Sequence, residues 1–172
     1  MVKGERNKEG MTGRINIRLT LLLFIPLLML YMYGCRQINH FSAAEQIPES
    51  GWQISNRIGF DVEITDTLSA FDIFFTLRNN NDYPFRNLYL FITVVSPEGY
   101  AIKDTLEYQL SDEKGNWFGS GLGDIHDLTV PFKRDVLFPE SGSYRFIIEH
   151  GMREEELKGI IDIGIRIRYH KE

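Results

Sequence analysis

From Ile161 to Tyr169 the chain reads Ile-Asp-Ile-Gly-Ile-Arg-Ile-Arg-Tyr. In an extended backbone Ile161, Ile163, Ile165, Ile167 and Tyr169 point one way, and Asp162, Gly164, Arg166 and Arg168 the other. A helix would scatter the same isoleucines around its axis, so period-two alternation predicts a strand with one buried face. Phe60, Val62 and Ile64 alternate with Asp61 and Glu63 in the same way. So do Phe71, Ile73, Phe75 and Leu77 with Asp72, Phe74, Thr76 and Arg78. Leu88–Val95 is apolar on both faces, as a strand inside a sheet would be. Ile102, Asp104, Leu106 and Tyr108 share one face of the next strand, and runs at 130–138 and 143–149 follow.

Turn chemistry separates these runs. The cluster Asn79-Asn80-Asn81-Asp82-Tyr83-Pro84 suits tight backbone reversals, because Asn and Asp bond to their own turns. Ser96-Pro97-Glu98-Gly99 and Pro139-Glu140-Ser141-Gly142 each place proline in a four-residue turn and predict hairpins. Residues 111–127 form a Gly-rich excursion. Residues 151–158, with Glu154, Glu155 and Glu156, predict one short helix. About seven strands with frequent turns predict an all-β, antiparallel two-sheet sandwich.

The N-terminal segment sets location. Arg14 and Arg18 precede Leu19–Tyr33, an apolar run of about 15 residues broken by Pro26, where a membrane-spanning helix needs roughly 20. The run ends in Met32-Tyr33-Gly34-Cys35, which resembles the lipobox of bacterial lipoproteins. Tyr33 is bulkier than the residue usual there. Residues 1–34 are therefore expected to be a signal peptide cleaved between Gly34 and Cys35, with lipid on Cys35. Residues 35–50 are expected to be a lipidated tether and 51–172 the sandwich. Met11 is a second candidate start, which would make residues 1–10 an upstream extension.

Of 19 basic and 24 acidic residues, five basic and two acidic fall in residues 1–34, which leaves the rest of the chain at a net −8. A domain so acidic repels phosphate and anionic headgroups. Nucleic acid is excluded as a partner, and attachment to the membrane is left to the lipid. The single cysteine permits no internal disulfide. The four histidines lack metal-ligand spacing. Asp124 and Asp127 offer Ca²⁺ at most two nearby carboxylates. No metal and no cofactor are expected.

The stretch Arg78–Phe85 with Asn87–Phe91, the stretch Gly115–Ile125, Phe138-Pro139 with Ser141–Tyr144, the pair Met152-Arg153 and Leu157–Ile160 together resemble the GldH-type gliding motility lipoproteins of Bacteroidetes. The resemblance covers nearly the whole chain after Cys35. It implies an envelope lipoprotein tied to gliding, adhesin transport and type IX secretion. The family has no established catalytic residues, so only Cys35 carries over.

The expected protein is thus a noncatalytic lipoprotein on the periplasmic face of the outer membrane, working through contacts with other envelope or motility proteins. The expected contact loops hold Asn80, Asn81, Asp82, Tyr83, Trp117, Phe118 and Asp124, since loops on a rigid scaffold are where binding concentrates. A glycan-binding sandwich is the alternative and requires Trp52 or Trp117 exposed on one face. An enzyme would require Asp124, His126 and Asp127 to converge on a cleft.

Overall fold

The computed structural model describes residues 39–171. The expected signal peptide, with Gly34 and Cys35, lies outside the described residues. Within them the chain forms ten strands and no helix: β1 (Asn39–Gln46), β2 (Trp52–Gln53), β3 (Ile58–Ile64), β4 (Phe71–Asn79), β5 (Asn87–Val95), β6 (Ala101–Gln109), β7 (His126–Val136), β8 (Gly142–His150), β9 (Glu156–Leu157) and β10 (Ile160–Tyr169). Two four-stranded sheets run β1-β10-β4-β7 and β3-β8-β5-β6, and β2 pairs with β9 in a small ribbon. All pairings are antiparallel.

Alternation in the sequence becomes sidedness in the sandwich. Ile58, Phe60, Val62 and Ile64 are buried while Gly59, Asp61 and Glu63 face water. Ile163, Ile165 and Ile167 are fully buried. A bulge between Ile160 and Asp162 breaks the pattern at its start, burying Ile160 and leaving Ile161 half-buried. One hydrophobic cluster draws from both sheets, including Phe71, Phe75, Leu90, Phe146 and Ile165. The β5–β6 hairpin forms as predicted: Gly99 donates to the Ser96 carbonyl at 2.9 Å. Side-chain contacts close both flanks of the sandwich. On one, Tyr108 donates to the Pro131 carbonyl at 3.0 Å and Lys133 pairs with Asp104 at 2.9 Å. On the other, His40 Nε2 donates to the Glu63 carbonyl at 3.0 Å.

Three expectations are corrected. The helix at 151–158 is absent. Its two buried apolar residues, Met152 and Leu157, are five apart, so no helical face could bury both, and Leu157 instead pairs with Trp52 across the ribbon. Residues 39–46 are not tether but the edge strand β1, paired with β10 from Asn39 to Gln46. Phe41 is the one large apolar side chain there and the Ala43-Ala44 pair has weak strand preference, so the open edge of β10 decides the structure. Finally, Pro139–Gly142 is no hairpin: it carries the chain from β7 in one sheet to β8 in the other. Phe138 anchors that crossing between Phe71 and Tyr144, with ring centroids 5.6 and 4.7 Å away. Local turn chemistry is the same for a hairpin and a crossing.

Trp52 is fully buried, donates Nε1–H to the Asn56 carbonyl at 2.9 Å, and meets the His150 ring edge-on at 5.3 Å. His150 is itself buried, and neither ring nitrogen reaches a hydrogen-bond partner among the described residues. Burial holds its pKa below the ordinary histidine value, partly offset by the nearby Trp52 backbone. The unfolded chain then takes up a proton at about pH 6.5 that the folded chain refuses, so stability is full above that pH and falls as pH drops through it. The unfolding free energy from urea titration is expected to decline between about pH 7.5 and pH 5.5, by at most about 1.4 kcal/mol per pH unit from this group. His150→Met should flatten that decline; an equal slope in the variant would contradict it.

Candidate functional site: two joined loops

The turn between β4 and β5 is built by its asparagines. Asn80 Oδ1 accepts the Asp82 N–H at 3.0 Å, and the Asn80 N–H donates to the Gly159 carbonyl at 2.9 Å. Tyr83 then turns inward. It is 3% exposed, donates its hydroxyl to the Asn87 carbonyl at 2.7 Å, and burial holds its phenol well above the usual range. Tyr83 thus packs beneath the turn and does not offer its side chain to a partner, contrary to expectation.

The Gly-rich excursion between β6 and β7 is folded on itself. The Asp112 carboxylate accepts the N–H groups of Lys114 and Asn116 and the Asn116 side-chain amide, each at 2.8 Å. Those bonds, led by that from the Asn116 side chain, hold its pKa below the ordinary value. Isolated bridges tie Ser111 to Trp117 and Ser120 to Asp127. Gly121 is required by close approach: a Cβ there would lie 1.8 Å from the Ile125 carbonyl oxygen. Backbone hydrogen bonds and the Asp112 carboxylate hold this loop together.

Asn81 joins the two loops. Its Nδ2 donates to Asp124 Oδ1 at 3.1 Å. A carboxylate only accepts, so this fixes the amide orientation and turns Oδ1 toward the other loop wall. There Oδ1 accepts from Trp117 Nε1 at 3.1 Å and lies 3.0 Å from His126 Nε2. Because Oδ1 cannot donate, His126 carries its proton on Nε2. The Trp117 and His126 rings stack at 5.5 Å and 29°. Arg78 backs the arrangement, bonding Asp127 and, through Nη1, Asp162 at 2.9 Å.

What this frame displays is apolar. Phe118 is 56% exposed, Leu122 91% and Ile125 42%. Of the predicted contact residues, Phe118 and Asp124 are exposed, Asn80, Asn81 and Asp82 form the turn, and Trp117 is half-buried scaffold. Leu122, Ile125 and His126 lie in the loop expected to make contacts, residues 115–127, but were not singled out there; an isolated leucine between Gly121 and Gly123, outside any period, was the available signal. Asp124, Asp127 and His126 bond to Asn81, Arg78 and Asn81 in turn and do not converge on a cleft. Among the described residues no three of His, Cys, Asp and Glu are placed to hold a metal. The glycan reading resting on Trp52 fails, since that ring is inside the core.

The family model described as GldH lipoprotein matches residues 39–167. The chain belongs to the GldH lipoprotein family. A gliding motility lipoprotein GldH homolog of Christiangramia forsetii is 34% identical over 155 residues, covering 86% of this chain and 94% of that protein. The gliding motility lipoprotein GldH of Flavobacterium johnsoniae is 34% identical over 143 residues, covering 79% and 88%. A carbohydrate-binding module specific for non-crystalline cellulose overlays at 10% identity and a TM-score of 0.42, covering 76% of this chain and 73% of that one, too loosely to carry an argument. The GldH match begins at Asn39, the first residue of β1, so the edge strand belongs to the family's domain. It also spans both loops joined by Asn81.

Proposed function

We propose that this GldH-family lipoprotein is noncatalytic, is held by lipid on Cys35 to the periplasmic face of the outer membrane, and serves the motility or secretion machinery by protein contact. The contact surface is the loop carrying Phe118, Leu122 and Ile125. One observation carries the reading: three apolar side chains stand in water on a loop whose frame is fixed by Asn81, Trp117 and His126. Exposed apolar surface costs about 25 cal/mol per Å² that burial recovers. A rigid loop also loses little entropy when it docks.

The test is the triple variant Phe118→Ala, Leu122→Ala and Ile125→Ala. None of the three is buried, so its unfolding free energy from urea titration should shift by less than about 0.5 kcal/mol. Membrane attachment should persist, while envelope proteins crosslinked to the wild type should be lost. An unchanged set of crosslinked partners would remove the loop as the contact surface.

A further inference from the structure

The outer face of the second sheet carries a different surface. On β5, Leu88, Leu90 and Ile92 are fully buried, which turns Tyr89 and Phe91 outward. Tyr89 is 38% exposed. Its backbone is held on both sides: its N–H points to Met152 Sδ at 3.4 Å and its carbonyl accepts the Gly151 N–H at 2.7 Å. A Cβ at Gly151 would come within 3.1 Å of the Phe91 ring and 3.2 Å of Tyr89 Cβ, so glycine lets this segment lie close against both side chains.

Tyr89 lies directly opposite Glu107 on β6, and that carboxylate helps to hold its phenol above the ordinary value. Glu107 Oε1 accepts the side-chain amides of Asn87 at 2.6 Å and Gln109 at 3.2 Å. An exposed aromatic ring is thus bordered by a carboxylate and two amides that orient one another. Tyr89 also lines an open groove of about 510 Å³ together with Phe85 and Gly151–Glu154. That volume falls within the range of small-ligand sites.

We propose that this face binds a neutral saccharide, one sugar ring stacking on Tyr89 with its hydroxyls on Glu107, Asn87 and Gln109, and a second ring entering the groove beside Phe85. A sugar ring has an apolar C–H face and a rim of hydroxyls that each donate and accept. Tyr89 matches the first and the carboxylate–amide group the second. An apolar peptide segment would cover Glu107 and its amides without pairing them, at a cost for each polar group left unmatched. A polyanion is disfavoured by the net −8 of residues 35–172. The site shares no residue with the loop contact proposed above and stands or falls separately.

The test titrates the full lipoprotein, in a detergent without a sugar headgroup, with tetramers of glucose, xylose, mannose and N-acetylglucosamine by calorimetry. At least one should bind saturably with Kd in roughly the 0.1–1 mM range. Tyr89→Ala should weaken it by at least about tenfold, the loss of a stacked anchor. Tyr89→Phe keeps the ring and should retain most of the affinity, and Glu107→Gln should lose a few-fold. Phe118→Ala should change nothing. Three results would overturn the proposal: no tetramer binding at about 10 mM, affinity unaltered in Tyr89→Ala, or tighter binding of a polyanionic polysaccharide or an apolar peptide at the same face.

Discussion

Gly159→Ala is expected to destabilise the domain by about 3–5 kcal/mol, a large part of the margin of a typical fold. Gly159 has φ +80°, where a Cβ costs about 1–2 kcal/mol by itself. Steric contact costs more. A Cβ there would sit 2.2 Å from the Tyr83 nitrogen and 2.4 Å from its Cα, both backbone atoms that no rotamer change can move. The β4–β5 turn would have to shift, breaking the bond from the Asn80 N–H to the Gly159 carbonyl and misplacing Asn81. Gly99 supplies the control. Its φ is +89°, but nothing lies within 4 Å of a Cβ built on it. Gly99→Ala should therefore bring only the backbone strain, about 1–2 kcal/mol. Urea denaturation of the two variants separates strain from packing, and equal losses would contradict the tight seat of Gly159 against the turn.

Cys35→Ser is expected to abolish acyl labelling and to leave an unprocessed precursor that still carries residues 1–34 and is absent from the outer membrane. At roughly 0.8 kcal/mol per buried CH₂, two or three acyl chains hold a protein firmly where a single chain does not. Nothing in the charge of residues 35–172 replaces them, because a net −8 is repelled by anionic headgroups. Mass spectrometry of the wild type should find an N-terminus at a lipid-modified Cys35. An unmodified thiol on an intact N-terminus would contradict the lipoprotein assignment of this residue.

The strands that were legible in the sequence are those whose sidedness is decided locally. β3 alternates because one face is core and the other water, and its burial follows residue by residue; in β10 Ile163, Ile165 and Ile167 take the core face as read, while Asp162 and Gly164 opposite them are also buried and Tyr169 is exposed. β1 was illegible because Phe41 and two alanines make a weak pattern; the strand exists because β10 offers an unpaired edge. The acidic run at Glu154–Glu156 suggested a helix, yet the position of Leu157 is set by Trp52, more than a hundred residues earlier in the chain. Both contact loops could be read as loops. Their union could not, because it rests on one amide, Asn81, reaching Trp117, Asp124 and His126 across 36, 43 and 45 residues of sequence. Tyr83 misled for a related reason: an aromatic in a polar turn invites a binding role, but its hydroxyl closes a short-range bond to the carbonyl of Asn87, the first residue of β5.

In the function proposed above, the apolar tip of the β6–β7 loop meets an envelope protein. Leu122 and Leu68 are both 91% exposed but lie on different connections of the sandwich, one between β6 and β7 and the other between β3 and β4. A photoreactive side chain placed at either position should be tolerated by the fold, and each should sample its surroundings in living cells. The direct measurement is crosslinking from the two positions in the lipidated, membrane-bound protein. A discrete adduct from Leu122 that is absent from Leu68, and lost when Phe118→Ala and Ile125→Ala are added, is the expected result. No adduct from Leu122, or the same adducts from both positions, would contradict the account.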